Sequence, residues 1–386
     1  MLAFGLWAVV VNIVALLIVA FYTVVERKVI ASIQRRRGPN VVGIWGLLQP
    51  IADAVKLINK EVVIPSKANK LIYLLAPMLA LTASLTNWGI LPLNMHALEA
   101  YTNFSVSSML WFSVSSFGVY AIILSGWSSN SKYAFLGALR SSAQMISYEV
   151  FFSLVLLTLM VISGSANLAD FVIQQQSIWF VLPCLPLAMI FFIACLAETN
   201  RTPFDLPEAE AEIVAGYNIE YSSMIFALFF LAEYGNMFVL SFISAAFFLG
   251  GWIVPFNLPF IPNSLAMAFK ATLVAIFFVV VRANLPRYRY DQLMSIGWKL
   301  FLPLTFAWFL LTVALLVSYM DVIDPMAVWN DTTEWMGQDY LVFPELYDND
   351  EYEPAVIYHS DPTPRLFGLP LEHNEFGLDE IEQQQQ

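Results

Sequence analysis

Eight apolar stretches, near residues 3–24, 71–92, 107–126, 147–166, 178–197, 221–247, 264–285 and 300–320, are each long enough to cross the ~30 Å hydrocarbon core of a bilayer. No water is available there to solvate backbone amides, so a crossing segment satisfies them internally by coiling into a helix. The expected fold is an all-α polytopic membrane protein with eight transmembrane helices in residues 1–320. A chain that is 59% hydrophobic and only 12% charged fits that class. Met1 leads into the first run with no basic leader before it and no small-residue cleavage site after it. Residues 3–24 therefore read as a membrane helix rather than a signal or transit peptide.

Charge placement orients the helices. Residues 321–386 carry 16 Asp/Glu and a single Arg365, whereas residues 1–320 carry 17 Lys/Arg and 14 Asp/Glu. The net charge of −12 thus describes a C-terminal tail and not the membrane body. The first, third, fifth and seventh loops, with the span ends beside them, hold 16 Lys/Arg; the other side holds only Lys270. By the positive-inside rule the odd loops face the cytoplasm or mitochondrial matrix, and both termini lie opposite. No basic surface suits nucleic acid.

Cofactor chemistry is limited by what is scarce. Cys184 and Cys195 are the only cysteines, and His96, His359 and His373 all fall outside the spans. Iron–sulfur clusters, haem and structural zinc need ligand sets this chain lacks, and it has no glycine-rich nucleotide loop. Any redox carriers belong to other chains.

The inner loops carry the motifs. The first, residues 25–70, begins ERKVIASIQRRRGPNVVG (26–43), with five basic residues and a Gly38-Pro39 turn. Either it anchors topology against anionic headgroups or it forms part of a site. In GLLQPIADAVKLINKE (46–61), Leu47, Leu48, Ile51, Val55 and Ile58 share one helical face, while Gln49, Asp53, Lys56 and Lys60 share the other. This predicts an in-plane amphipathic helix, serving as the floor of a lateral opening for a lipid-soluble ligand or as a surface brace. The second inner loop, GWSSNSKYAFLGALRSSAQMISYE (126–149), places Tyr148 and Glu149 in the first turn of the fourth span, where a carboxylate also suits the helix dipole. The last contains PRYRYDQLM (286–294), where Arg287, Arg289 and Asp291 pair locally or hold a partner.

The third inner loop is the acidic one. ETNRTPFDLPEAEAEIVAGYNIEY (198–221) sets six carboxylates and Arg201 between two apolar spans. Carboxylates at a membrane mouth are costly to desolvate and mark functional sites. Glu149, Glu198 and Glu220 lie near the inner face, and Glu233, on a helix continuous with Glu220, ~20 Å deeper. Such a set titrates together and suits a proton wire. The competing reading is structural ion pairing, for example Arg201 with Glu198.

Taken together, these five loop motifs resemble, in order and spacing over about residues 1–320, the quinone-site membrane subunit family of respiratory complex I, the proton-pumping NADH:ubiquinone oxidoreductase. The resemblance implies an eight-helix subunit that forms most of the ubiquinone entrance tunnel and couples quinone reduction to proton translocation. It contacts peripheral-arm quinone-site subunits on the matrix side, membrane-arm pumping subunits, and lipids. NADH, FMN and iron–sulfur clusters belong to partners, ubiquinone is a substrate shared with them, and no catalytic or metal-ligating residue is implied within this chain alone. The implied proton path is Tyr148, Glu149, Glu198, Asp205, Glu208, Glu210, Glu212, Glu220 and Glu233. The implied tunnel and entrance residues are Glu26, Arg27, Arg36, Asp53, Lys56, Arg201, Phe204, Arg282, Arg287 and Arg289. Each position carries the residue type the family expects.

The acidic tail, residues 321–386, departs from that family, whose chains end soon after the eighth span. Its composition argues against a packed domain, and its aromatics suit anchoring to a neighbouring subunit on the intermembrane-space side. The expected location is the mitochondrial inner membrane, with a bacterial inner membrane as the alternative. Two other readings remain: a subunit of a related energy-converting hydrogenase or dehydrogenase, and a stand-alone ion antiporter. Against the antiporter, no repeat is evident and the carboxylates gather at one face. A purely structural anchor leaves Glu233 unexplained.

Overall fold

A computed structural model describes residues 2–92, 105–205, 216–254 and 262–320 of the 386. Among these residues every regular element is helical: α1 (Leu2–Ile33), α2 (Gln49–Asn59), α3 (Lys70–Ile90), α4 (Ser107–Ser128), α5 (Lys132–Ser163), α6 (Leu168–Gln174), α7 (Leu185–Glu198), α8 (Ser223–Phe248), α9 (Asn263–Asn284), α10 (Tyr290–Ile296) and α11 (Leu302–Met320). One π-turn, Gly297–Phe301, joins α10 to α11. Residues Met1–Phe309 form one compact unit, and Leu310–Gln386 belongs to a second. The expected tail, 321–386, lies outside the described residues, as do Glu208, Glu210 and Glu212.

Among the described residues, seven helices are long and apolar enough to cross a membrane. The remaining expected span, 178–197, folds differently: its helix α7 has only 14 residues, roughly 21 Å at 1.5 Å per residue. Pro183 and Pro186 account for the late start: Pro186 sits in the first turn of α7, where its missing N–H is not needed, and a helix running in from before Pro183 would lose backbone hydrogen bonds at both. The residues before α7 form turns instead, with Val181 N donating to Phe248 O and Cys184 N to Phe180 O.

Three helix boundaries differ from those expected. α1 runs past residue 25, the expected start of the first loop, to Ile33, and carries Glu26, Arg27 and Lys28 on a helix. The second inner loop is largely helix, because α5 starts at Lys132. Its early turns bury small and polar groups (Ala134, Gly137, Ala138, Ser141, Gln144), a packing face that hydropathy does not register. Tyr148 and Glu149 therefore sit in mid-helix, and a favourable first-turn dipole does not account for Glu149. Finally, Glu220 precedes α8 instead of lying on a helix continuous with Glu233. Glu233 is ten residues past the start of α8, roughly 15 Å along it.

Aromatic and aliphatic groups fill the centre, including Trp111, Phe151, Phe171, Phe191 and Phe247. A smaller cluster around Tyr73, Tyr217, Tyr221 and Phe229 lies where the acidic loop returns. Helices approach closely through small residues, the usual device where lipid removes a hydrophobic drive between helices. A Cβ on Gly137 would stand 2.6 Å from Gly216 Cα, so glycine is what lets the returning loop dock on α5. Large apolar side chains such as Leu71, Phe117, Leu182 and Phe269 face outward, as they do where the solvent is hydrocarbon.

Candidate functional site

Helix α7 starts late but ends at Glu198, where the third inner loop was expected to begin. The turn that follows it, residues 199–205, is buried: Thr199, Asn200, Arg201, Thr202, Phe204 and Asp205 all fall in the interior. A buried guanidinium needs partners, and Arg201 has them. Its Nε lies 2.9 Å from Glu233 Oε1, and its Nη1 lies 3.3 Å from Glu26 Oε1. The guanidinium carbon stands 4.3 Å from the ring centroid of Tyr234. Arg282 reaches the same Glu26 Oε1 from α9, and Tyr234 Oη donates to Glu26 Oε2 at 2.6 Å. Two guanidiniums thus face two carboxylates, in a node drawn from α1, α8, α9 and the post-α7 turn. Burial alone would lower the Arg201 pKa, but Glu233, Tyr234 and Glu26 more than offset it and hold the group well above its ordinary value.

The turn itself is held by Gln144, a fully buried amide on α5. Its Nε2 lies 3.1 Å from Ala197 O, 2.9 Å from Phe204 O and 3.3 Å from Asn200 Oδ1. Phe204 packs between Tyr148, with centroids 5.6 Å apart, and Tyr288, 5.9 Å away and nearly parallel. Tyr148 Oη donates to Leu293 O at 3.3 Å, and Arg287 pairs with the buried Asp205 at 3.3 Å. The acidic turn and the last inner loop are in this way one surface.

Residues expected on two separate paths meet at this node. Glu233 was placed on a proton path and Glu26, Arg201 and Arg282 along a tunnel; the structure brings all four together. The carboxylate partners of Arg201 are Glu26 and Glu233, not Glu198. Glu149 and Glu198 lie close enough for their charges to interact, and Glu149 Oε1 is buried without a hydrogen-bond partner among the described residues. Glu220 stands apart, before α8, where its carbonyl accepts from Tyr73 Oη at 2.7 Å. Nearer the surface, Arg27 pairs with Asp53 at 3.0 Å, Arg289 pairs with Asp291 at 3.4 Å, and Arg36 and Lys56 are exposed.

Sequence reasoning missed three contributors. Tyr234 follows Glu233 in AEYGN, a polar pair inside an apolar helix that was a usable signal. Tyr22, whose Oη donates to Ala275 O at 2.7 Å, packs edge-on against Tyr234 with centroids 6.2 Å apart. Gln144 carried no signal, since nothing local marks it as the support of a distant turn. Among the described residues no group of His, Cys, Asp and Glu could hold a metal ion.

Long apolar helices around a buried, charge-balanced node define a polytopic helical membrane protein with an ionic centre. A profile described as NADH dehydrogenase matches residues 6–313. A Cyanidium caldarium protein named NADH-ubiquinone oxidoreductase chain 1 is 53% identical over 304 residues, covering 78% of this chain and 88% of its own. Its Arabidopsis thaliana namesake is 52% identical over 307 residues, 79% of this chain and 94% of its own. A Rickettsia rickettsii protein, named as one of the subunits of NADH-quinone oxidoreductase, is 52% identical over 318 residues, 81% of this chain and 93% of its own. The chain belongs to the NADH dehydrogenase family, the complex I membrane subunits of the chain 1 kind.

Proposed function

We propose that this subunit lines the passage by which a quinone enters the complex, and links quinone reduction to proton movement through its buried carboxylates. The observation that supports this best is the Arg201 node. It joins Glu26 of the first inner segment and the acidic turn to Glu233 within α8. A charge or proton change near the turn therefore has an electrostatic route into the membrane body. Glu149 and Glu198 offer a second buried carboxylate pair on the same turn's approach. Redox carriers and the reducing step belong to partner subunits; this chain positions, excludes water and carries charge.

In this reading α7 and the turns before it make the eighth crossing, and α2 lies in the membrane plane. The basic loops face the mitochondrial matrix, or the cytoplasm of a bacterium, and both termini lie opposite. Peripheral-arm subunits meet the surface built by the acidic turn and residues 286–294. The tail contacts a neighbouring subunit on the outer side.

Glu233→Gln, introduced into the assembled complex, tests the reading. NADH-driven quinone reduction and proton transport should both fall, while NADH oxidation by an acceptor that bypasses the quinone should persist. Wild-type rates of both quinone reduction and proton transport, per assembled complex, would sink it.

A further inference from the structure

The surface helix α2 buries none of its own residues, so individual polar contacts matter to its position. Near the N-terminal half it is tied by the Arg27–Asp53 pair, whose side chains are 53% and 37% exposed, a contact of the kind that contributes little. The C-terminal end is held differently. The last carbonyls of a helix lack intrahelical donors. Here Leu57 O and the C-cap Lys60 O both lie in reach of one hydroxyl, Ser223 Oγ, at 3.0 and 2.6 Å. A hydroxyl has a single proton, so that donor is shared between the two carbonyls. Beside it, Ser222 Oγ accepts from Val63 N at 3.0 Å.

Ser223 is buried and adopts φ 59°, a left-handed conformation that is uncommon outside glycine. That backbone persists where surrounding contacts over-determine it. From the other side, Tyr221 stacks on Tyr73 with centroids 4.2 Å apart and rings within 4° of parallel, and Tyr73 Oη holds Glu220 O. Residues 220–223 are the exit of the acidic loop. They are fixed to α3 on one side and to the end of α2 on the other.

Resting on the quinone-passage reading above, we infer that Ser223, seconded by Ser222, is a positioning residue for quinone admission. Its one hydroxyl fastens the entrance helix α2 to the exit of the acidic loop, so the entrance floor and the carboxylate loop shift as one body.

Two variants of the assembled complex test this. Ser223→Gly removes the hydroxyl while accepting the left-handed backbone without strain. Ser223→Asn tolerates the same backbone and restores N–H donors. Amide exchange over residues 52–63 is read alongside KM and kcat for a long-tailed quinone. The glycine variant should exchange faster at the end of α2 and raise KM about fivefold at near-constant kcat, and asparagine should recover both in part. Unchanged exchange overturns the inference, as does faster exchange with unchanged KM, or a fall in kcat that asparagine does not relieve. Failure here is separable from failure of the passage reading. If Glu233→Gln impairs quinone reduction while Ser223→Gly changes nothing, only the coupling through Ser223 falls; if Glu233→Gln is also silent, the passage itself falls.

Discussion

Arg201 and Glu233 meet at 2.9 Å although they belong to a turn and to the interior of a separate long helix. The contact exists because the turn after α7 is buried inside the protein, where it meets Glu233 ten residues into α8. Removing one member of a buried ion pair strands the other, which costs about 3–5 kcal/mol. Arg201→Met should therefore lower the yield and heat resistance of the assembled complex. Combining it with Glu233→Gln should recover part of the loss, because the two residues share one interaction. Strictly additive losses would contradict the pairing. Arg201→Lys should rescue poorly, since an ammonium cannot reach Glu26 and Glu233 and also lie flat on Tyr234.

Gln144 supports the acidic turn without touching a charged group. Gln144→Leu preserves bulk but removes the donor shared by Ala197 O and Phe204 O. Leaving such buried acceptors unsatisfied costs about 1–3 kcal/mol. The expected result is faster amide exchange across residues 197–205 and a lower heat-inactivation temperature. A variant with wild-type exchange would show the turn to be held elsewhere.

Lys270 explains the one exception to the charge asymmetry. Its Nζ donates to Leu249 O at 2.6 Å, Ile253 O at 2.7 Å and Gly251 O at 3.0 Å, and it lies 4.6 Å from the Trp179 ring. It acts as a tethered cation on the carbonyls that end α8. Lys270→Met should destabilise the complex by about 2 kcal/mol in heat inactivation, with quinone KM unchanged. A raised KM with no loss of stability would assign it a different role.

Truncation after Tyr319 removes the acidic tail. The amount of assembled complex should fall, while quinone reduction per assembled complex stays near wild type. Loss of quinone affinity in fully assembled complex would place the tail at the passage.

What the chain determined by itself is the class and the ingredients. Hydropathy specifies long membrane helices, because the cost of burying charge in lipid acts on each segment separately. The carboxylates at 198–221 and the basic first loop were legible for the same reason. Only the tertiary structure decided how they pair. Apolar length alone did not show that Pro183 and Pro186 shorten α7. Nor could it show that Arg201 turns inward to Glu26 and Glu233 instead of Glu198, or that α5 begins at Lys132 on a face of small residues. Gln144, Tyr22 and Ser223 act on partners more than fifty residues away. Such contacts depend on how helices lie against one another, and local pattern does not encode them. Periodicity reports which face is apolar; packing decides which polar groups inside that face find each other.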